Sequence, residues 1–361
     1  MAERRYFVDR LRCGVIFLLF PFHAARVFDI WEPNYVKSAT TSLPLSLVVF
    51  FIGFWFMALM FLLAGYSAFF ALKSRNASQF AKERVSRLLV PLAFGLLFVV
   101  PPQGYMAKLA QGYSGGYLRY LAGYFADFSD LSGYFGSFTP AHLWFILYLF
   151  VLSLAALPIF LALRGRPRHA DTLVRPAALL LLFLPLSLLE ALPSIGGKNP
   201  FFYFFLLIAG FLIARDDRAG EAIAALKLPA LIAAPFAVAA YAALSLGGGG
   251  ESFARFSPHE IVRALARNLS LELIVLALLG YGAERLNAKS RALDYLNRAA
   301  FPVYVLHQSV MMVLAYFVLK LGTPLWVEYF LIMLGSLVAT YAIYELLVRR
   351  IGFLRLLFGV K

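Results

Sequence analysis

Arg12-Cys-Gly-Val-Ile-Phe-Leu-Leu-Phe-Pro-Phe-His23-Ala-Ala-Arg26 is the stretch on which the fold turns. It is apolar enough to cross a membrane, yet it carries an arginine at its start and a histidine in its middle. Eleven positions separate Arg12 from His23. At about 100° per helical residue that is a net rotation of about 20°, so both side chains share a face, about 16 Å apart along the axis. An ionisable side chain at that depth is costly in lipid and marks a functional site by default. The bland alternative is a histidine hydrogen-bonded between helices for packing.

Outward from this stretch, apolar runs of about 20 residues recur along all 361 positions, of which 62% are hydrophobic and 14% charged. Soluble domains run near a quarter charged. The pattern predicts an all-α polytopic membrane protein rather than a barrel, whose strands would alternate over segments of about 10 residues. Ten spans are expected, over about 12–30, 45–72, 86–102, 142–163, 174–192, 200–214, 228–247, 268–284, 298–319 and 325–347, as one integral-membrane domain covering 1–361. The opening Arg4-Arg5 before an apolar run resembles a signal peptide, but Pro21, His23 and Arg26 interrupt the cleavage region, so the first span is read as uncleaved.

The net charge of +14 has a simple source. If the spans alternate, 24 of the 33 basic residues fall on the side of the N-terminus. That is the positive-inside pattern, and it predicts both termini in the cytoplasm and a multi-pass protein of the inner membrane. Nucleic-acid binding is not expected, because no soluble segment is long enough to present a basic face. The single cysteine, Cys13, allows neither an internal disulfide nor a cysteine metal site. No phosphate-cradling glycine loop, His-Glu-x-x-His pair or Gly-x-Ser-x-Gly elbow is present.

Four further stretches carry polar side chains where apolar ones would be ordinary. Arg84 and Arg87 in Lys82-Glu-Arg84-Val-Ser-Arg87-Leu-Leu-Val-Pro91 stand three apart at the entrance of the third span. Two guanidinium groups on one helical face suit a phosphate or pyrophosphate, although flanking charge or lipid contact explains them as well. Pro140-Ala-His142-Leu-Trp144-Phe145 opens the fourth span. Its Trp144 and His142 fit an interfacial belt or, equally, a sugar site in which a flat ring stacks and an imidazole bonds hydroxyls. Phe301-Pro302-Val-Tyr304-Val-Leu-His307-Gln308 places two polar side chains inside the ninth span, as interhelical glue or as substrate contacts. Arg26 and Asp29 are spaced for an i,i+3 ion pair, as Glu345 and Arg349 are for an i,i+4 pair. Between the third and fourth spans, about Gln103 to Ala141, lies an outer loop too aromatic for a linker, with a short interfacial helix expected near Tyr117 to Phe125.

Taken together, these residues resemble the integral-membrane acyltransferase three family, and within it the branch that modifies periplasmic glucans. The resemblance covers nearly the whole chain. It rests on Arg12 and His23 with ten residues between, on Val36-Lys-Ser38, on Leu63-Ala-Gly-Tyr66 and on Arg84-x-x-Arg87-Leu-x-x-Pro91. It continues through His142-Leu-Trp-Phe145, Phe301-Pro-Val-Tyr-Val-Leu-His307-Gln308, Tyr344-Glu-Leu-Leu-Val-Arg-Arg350 and Leu357-Phe-Gly359. Trp55-Phe-Met-Ala58-Leu59 departs from it, with alanine where the resemblance expects proline.

The resemblance implies an O-acyltransferase that moves a short acyl group from cytoplasmic acyl-coenzyme A to an extracytoplasmic carbohydrate. His23 would be the general base, with Arg12, Arg84 and Arg87 as coenzyme A contacts. Arg26, His142, Trp144, His307 and Gln308 would be acceptor-side or supporting residues, and Arg26 a candidate cation for an anionic acyl group such as succinyl. Acyl-coenzyme A would be a co-substrate, with no bound cofactor or metal, and membrane lipids would surround the chain. The competing class is a transporter or flippase of sugars or lipid-linked sugars, which would move substrate without releasing coenzyme A.

Overall fold

A computed structural model describes residues 5–165, 175–247 and 257–360. Gly248 to Gly250 of the run Gly247-Gly-Gly-Gly250, which the sequence marks as a flexible hinge, and Arg4, Arg166, Arg168 and Lys361 of the basic flanks, lie outside the described residues. Among those described, the chain is helical throughout, and its extended pairing is a single bridge between Ile195 and Lys198. In order the helices are α1 (Tyr6–Arg26), α2 (Leu43–Gly53), α3 (Phe56–Ser74), α4 (Ala77–Arg84), α5 (Val90–Phe94), α6 (Val100–Ala110) and α7 (Tyr117–Tyr124). There follow α8 (Trp144–Ala155), α9 (Leu157–Arg164), α10 (Pro176–Leu180), α11 (Phe183–Glu190), α12 (Pro200–Arg215), α13 (Asp217–Leu246), α14 (Pro258–Arg285), α15 (Arg291–Val318), α16 (Leu325–Ile343) and α17 (Gly352–Leu357).

Helix lies over each of the ten expected segments. Five stretches are long and apolar enough to span a membrane: Leu43–Ser74, Ala77–Ala110, Asp217–Leu246, Arg291–Leu321 and Leu325–Val348. A sixth is the pair α8 and α9, bent by 48° where Pro158 enters the first turn of α9. α1 and α14 are long enough but carry more charge, and the 176–190 and 200–215 segments are short. Sequence signals set several helix ends. Ser257 caps α14 by accepting from the Glu260 amide at 3.3 Å, and Asn199 caps α12 by accepting from the Phe202 amide at 3.0 Å. The short helix expected near Tyr117 to Phe125 is α7. The large outer loop starts later than expected, because helix persists through Gln103 to Ala110. Pro101 and Pro102 sit in the first turn of α6, where a missing N–H is tolerated.

The chain divides into two compact units. One comprises Met1–Arg12, Phe54–Ala81 and Val151–Ser290; the other comprises Cys13–Gly53, Lys82–Phe150 and Arg291–Lys361. In the first unit α3 and α12 meet at glycines. A methyl group added at Gly65 would lie 1.8 Å from the Leu207 carbonyl oxygen, and one at Gly210 would lie 1.9 Å from that of Leu62. Backbones approach this closely only where side chains are absent, the usual means of tight helix association in lipid. Phe211 then stacks on Phe160 with centroids 4.2 Å apart. A polar cluster joins α11 to α14: Arg267 pairs with Glu190 at 2.8 Å, and the Asn268 amide donates to Glu190 at 2.7 Å.

In the second unit α15 is the buried centre, with Val303, Val305, Met311, Met312 and Ala315 fully enclosed. Two π-helical turns, Val85–Leu89 and Gly95–Val99, interrupt the α-helical rows between α4 and α6. Such turns re-aim side chains and recur at functional sites.

Candidate active site

α1 continues through Pro21, which removes one backbone donor two residues before His23. His23 is half-buried and lies edge-on to Phe22, with centroids 5.0 Å apart. From α15, the His307 ring stands 5.2 Å from the His23 ring, centroid to centroid. From the turn before α8, the His142 ring stands 5.0 Å from that of His307 at an interplanar angle of 81°. Three histidines from three distant parts of the chain thus come together within the second unit, with His307 in the middle. Among the described residues, no group of three or more His, Cys, Asp or Glu is arranged to hold a metal ion.

The hydrogen bonds fix two of these rings. His307 Nδ1 lies 2.6 Å from the Tyr304 carbonyl oxygen, and His142 Nε2 lies 2.8 Å from that of Val305. A carbonyl only accepts, so each of these nitrogens carries the hydrogen and donates it. The Tyr304 hydroxyl in turn donates to the His142 carbonyl. Tyr304 therefore serves the site twice, although it was quoted only as part of a motif; its i,i+3 spacing to His307 was the available signal. The backbone that presents His142 is strained. Ala141 has φ +47°, in the left-handed region that costs an alanine about 1–2 kcal/mol, and its amide donates to Thr139 Oγ1 at 2.9 Å.

Trp144 is the first residue of α8, half-buried and edge-on to Tyr148. Gln308 is buried beside His307. One residue on, Ser309 donates to Gln103 on α6 at 3.1 Å. Gln103 is fully buried, and a lone amide next to Pro101-Pro102 in an apolar run was its sequence signal.

Arg84 and Arg87 do not form a plain α-helical fork. Arg84 ends α4 and is half-buried; Arg87 lies in the following π turn, more exposed, and pairs with Glu83 at 3.3 Å. The C-terminal stretch packs against this turn. Phe358 meets Phe94 with centroids 5.3 Å apart, and Gly359, at φ +63°, lies so close that an added methyl would be 3.2 Å from the Arg87 carbonyl oxygen. Glu345 and Arg349 form the expected pair at 2.8 Å. Arg12 belongs to the first unit, where it bonds Asp9 at 3.1 Å and Ser67 at 3.0 Å.

Arg26 is committed to a cap at the C-terminal end of α1. Its guanidinium bonds Asp29 at 3.0 Å, Glu32 at 2.5 Å, the Pro33 carbonyl at 2.7 Å and the Tyr134 hydroxyl at 3.2 Å. Two carboxylates already neutralise it, which favours the ion-pair reading over a cation held ready for an acyl carboxylate. Asp29 is 1% exposed. Arg26→Ala would strand it, an expected loss of about 3–5 kcal/mol, measurable as a lower unfolding temperature that Asp29→Asn in the same chain partly restores.

The aromatic loop after α6 closes on this cap. The Tyr35 hydroxyl donates to the Ser132 carbonyl at 2.9 Å, and that of Tyr120 to the Gly136 carbonyl at 3.0 Å. Burial raises both phenols, and pushes Tyr124 up to about 12, so all three remain neutral donors at physiological pH. Burial also lowers the Lys37 ammonium, against the opposing pull of Asp29.

No solved structure matches the chain. Among curated proteins, Glucans biosynthesis protein C of Escherichia coli strain K12 is 24% identical over 387 residues, covering 100% of this chain and 95% of that protein. The proteins of the same name from strains O157:H7 and O9:H4 match to the same extent. A family model described as an acyltransferase domain matches residues 5–345, from the first helix to beyond the histidine cluster, so the chain belongs to the acyltransferase three family.

Proposed function

We propose that the chain is a membrane O-acyltransferase with ten spans and cytoplasmic termini, using acyl-coenzyme A as donor and an extracytoplasmic carbohydrate as acceptor. Membership of an acyltransferase family supports the reaction class, and likeness to Glucans biosynthesis protein C supports a glucan-like acceptor. The observation that carries the reading furthest is the convergence of His23, His307 and His142, ionisable groups drawn together within an apolar unit.

In this mechanism donor phosphates are held by Arg84 and Arg87. Arg87 exchanges Glu83 for the donor. A sugar hydroxyl enters from the outer side, past the aromatic loop. His23 takes the hydroxyl proton, the oxygen attacks the thioester carbon, the carbon–sulfur bond breaks, and the proton passes to the departing thiolate. Trp144 and Gln308 line the acceptor approach. The inner membrane is the corresponding location.

Arg84→Ala tests the donor half. Loss of a charge-assisted hydrogen bond costs about 1.5–3 kcal/mol, about 10- to 150-fold in donor KM. Unchanged donor KM in a folded variant would remove Arg84 from the donor site.

A further inference from the structure

The hydrogen-bond donors around the histidine cluster are spent on backbone. His307 Nδ1–H goes to Tyr304, His142 Nε2–H goes to Val305, and the Tyr304 hydroxyl goes to His142. What remains is the opposite nitrogen of each ring, His307 Nε2 and His142 Nδ1. Both are buried, and neither has a hydrogen-bond partner among the described residues. His307 is 0% and His142 6% exposed. With the other ring nitrogen already carrying the hydrogen, each is a lone pair and can only accept.

A buried acceptor left unfilled costs about 1–3 kcal/mol, so two of them on adjoining rings require an explanation in a native fold. Packing alone does not give one, because phenylalanine or leucine would fill the same space without the penalty. Apart from water, which would fill the site when no substrate is bound, three kinds of ligand group are conceivable. A carboxylate or phosphate would set its own lone pairs against these two. An ammonium would bring a charge into the interior of the unit, where the rings packed against His307, those of His23, His142, Tyr304 and Phe20, offer it no counter-charge. A hydroxyl brings a hydrogen without charge and meets neither objection.

Resting on the acyltransferase reading, we infer that His307 and His142 form the hydroxyl-reading part of the acceptor site. Each alcohol has one hydrogen to give, so two lone pairs call for two hydroxyls of one sugar. The rings stand 5.0 Å apart, within reach of two such groups on one pyranose. His23, 5.2 Å from His307 on the other side, faces a further hydroxyl, the one that reacts. The opposite tautomers of His307 and His142 are what turn both lone pairs away from the backbone. The site thus selects a polyol and rejects both simple alcohols and anionic acceptors.

The test measures binding of a short β-glucan oligosaccharide to the full-length protein in detergent by titration calorimetry, with no acyl donor present. His307→Phe and His142→Phe keep a flat ring and remove the lone pair; each is expected to weaken binding about 10- to 100-fold. His307→Gln, which keeps an acceptor oxygen near the position of Nε2, is expected to recover most of the loss. A purely structural histidine would not show that rescue. Unfolding temperatures establish that each variant is folded, and if His307→Phe is not, His142→Phe against wild type makes the same comparison. Wild-type affinity in the phenylalanine variants, no rescue by glutamine, or no oligosaccharide binding by the wild type would each overturn the assignment. Histidine-dependent sugar binding without acyl transfer would instead retain the hydroxyl site and sink the catalytic reading. Acyl transfer with sugar binding indifferent to His307 and His142 would do the reverse.

Discussion

His23→Ala is expected to lower acyl transfer by about 10²–10⁴, the usual contribution of a positioned base, while donor binding stays near its wild-type value. The split follows from where the side chain sits. His23 touches His307 and Phe22, whereas Arg84 and Arg87 are the groups proposed to hold the donor phosphates. Positioning of the two substrates by the rest of the site accounts for the remaining rate. Coenzyme A release measured against donor and acceptor concentration separates kcat from both KM values. A folded His23→Ala protein that transfers acyl groups at the wild-type rate would remove the base from the mechanism.

The second large effect concerns the fold. Gly65→Ala or Gly210→Ala in the first unit puts a methyl group within 2 Å of a backbone carbonyl oxygen on the facing helix. A flexible side chain could swing away from such a contact, but a helix backbone must move as a whole. Overpacking typically costs about 1–3 kcal/mol, and a clash with backbone belongs at the upper end of that range. The two glycines face each other's helices, so the separation forced by the first substitution makes room for the second. Gly65→Ala with Gly210→Ala should therefore cost clearly less than the sum of the two alone, as contacting sites do. Thermal unfolding of the two single variants and the double variant in the same detergent checks this. Additive losses would mean that the two contacts are independent.

Much of the fold was legible in the sequence because lipid imposes one strong rule: backbone groups must be satisfied within the segment, so apolar runs become helices. Helix lies over all ten expected segments. What was not legible depends on neighbours. The π turn holding Arg87 changes how it faces Arg84, and no periodicity of single residues marks it. The persistence of α6 past Gln103 depends on two prolines landing in a first turn rather than ending a helix.

The site divides in the same way. His23 stood out as an ionisable group in an apolar run, and it lies near the end of α1. Arg26 and Asp29 could be paired from their spacing, but Glu32, Pro33 and Tyr134, which complete the shell of Arg26, come from loop geometry. His142 and His307 balanced evenly between packing and chemistry, because 165 positions separate them in the chain. Only the folded unit brings their rings together and sets their tautomers.

The central claim is acyl transfer from coenzyme A, and the most direct measurement is thiol release by the purified protein given acetyl- or succinyl-coenzyme A, with and without a β-glucan oligosaccharide. The account predicts coenzyme A release that depends on the acceptor and matches ester formed on the sugar. Movement of the sugar across a vesicle membrane with no coenzyme A released would contradict it and identify a transporter instead.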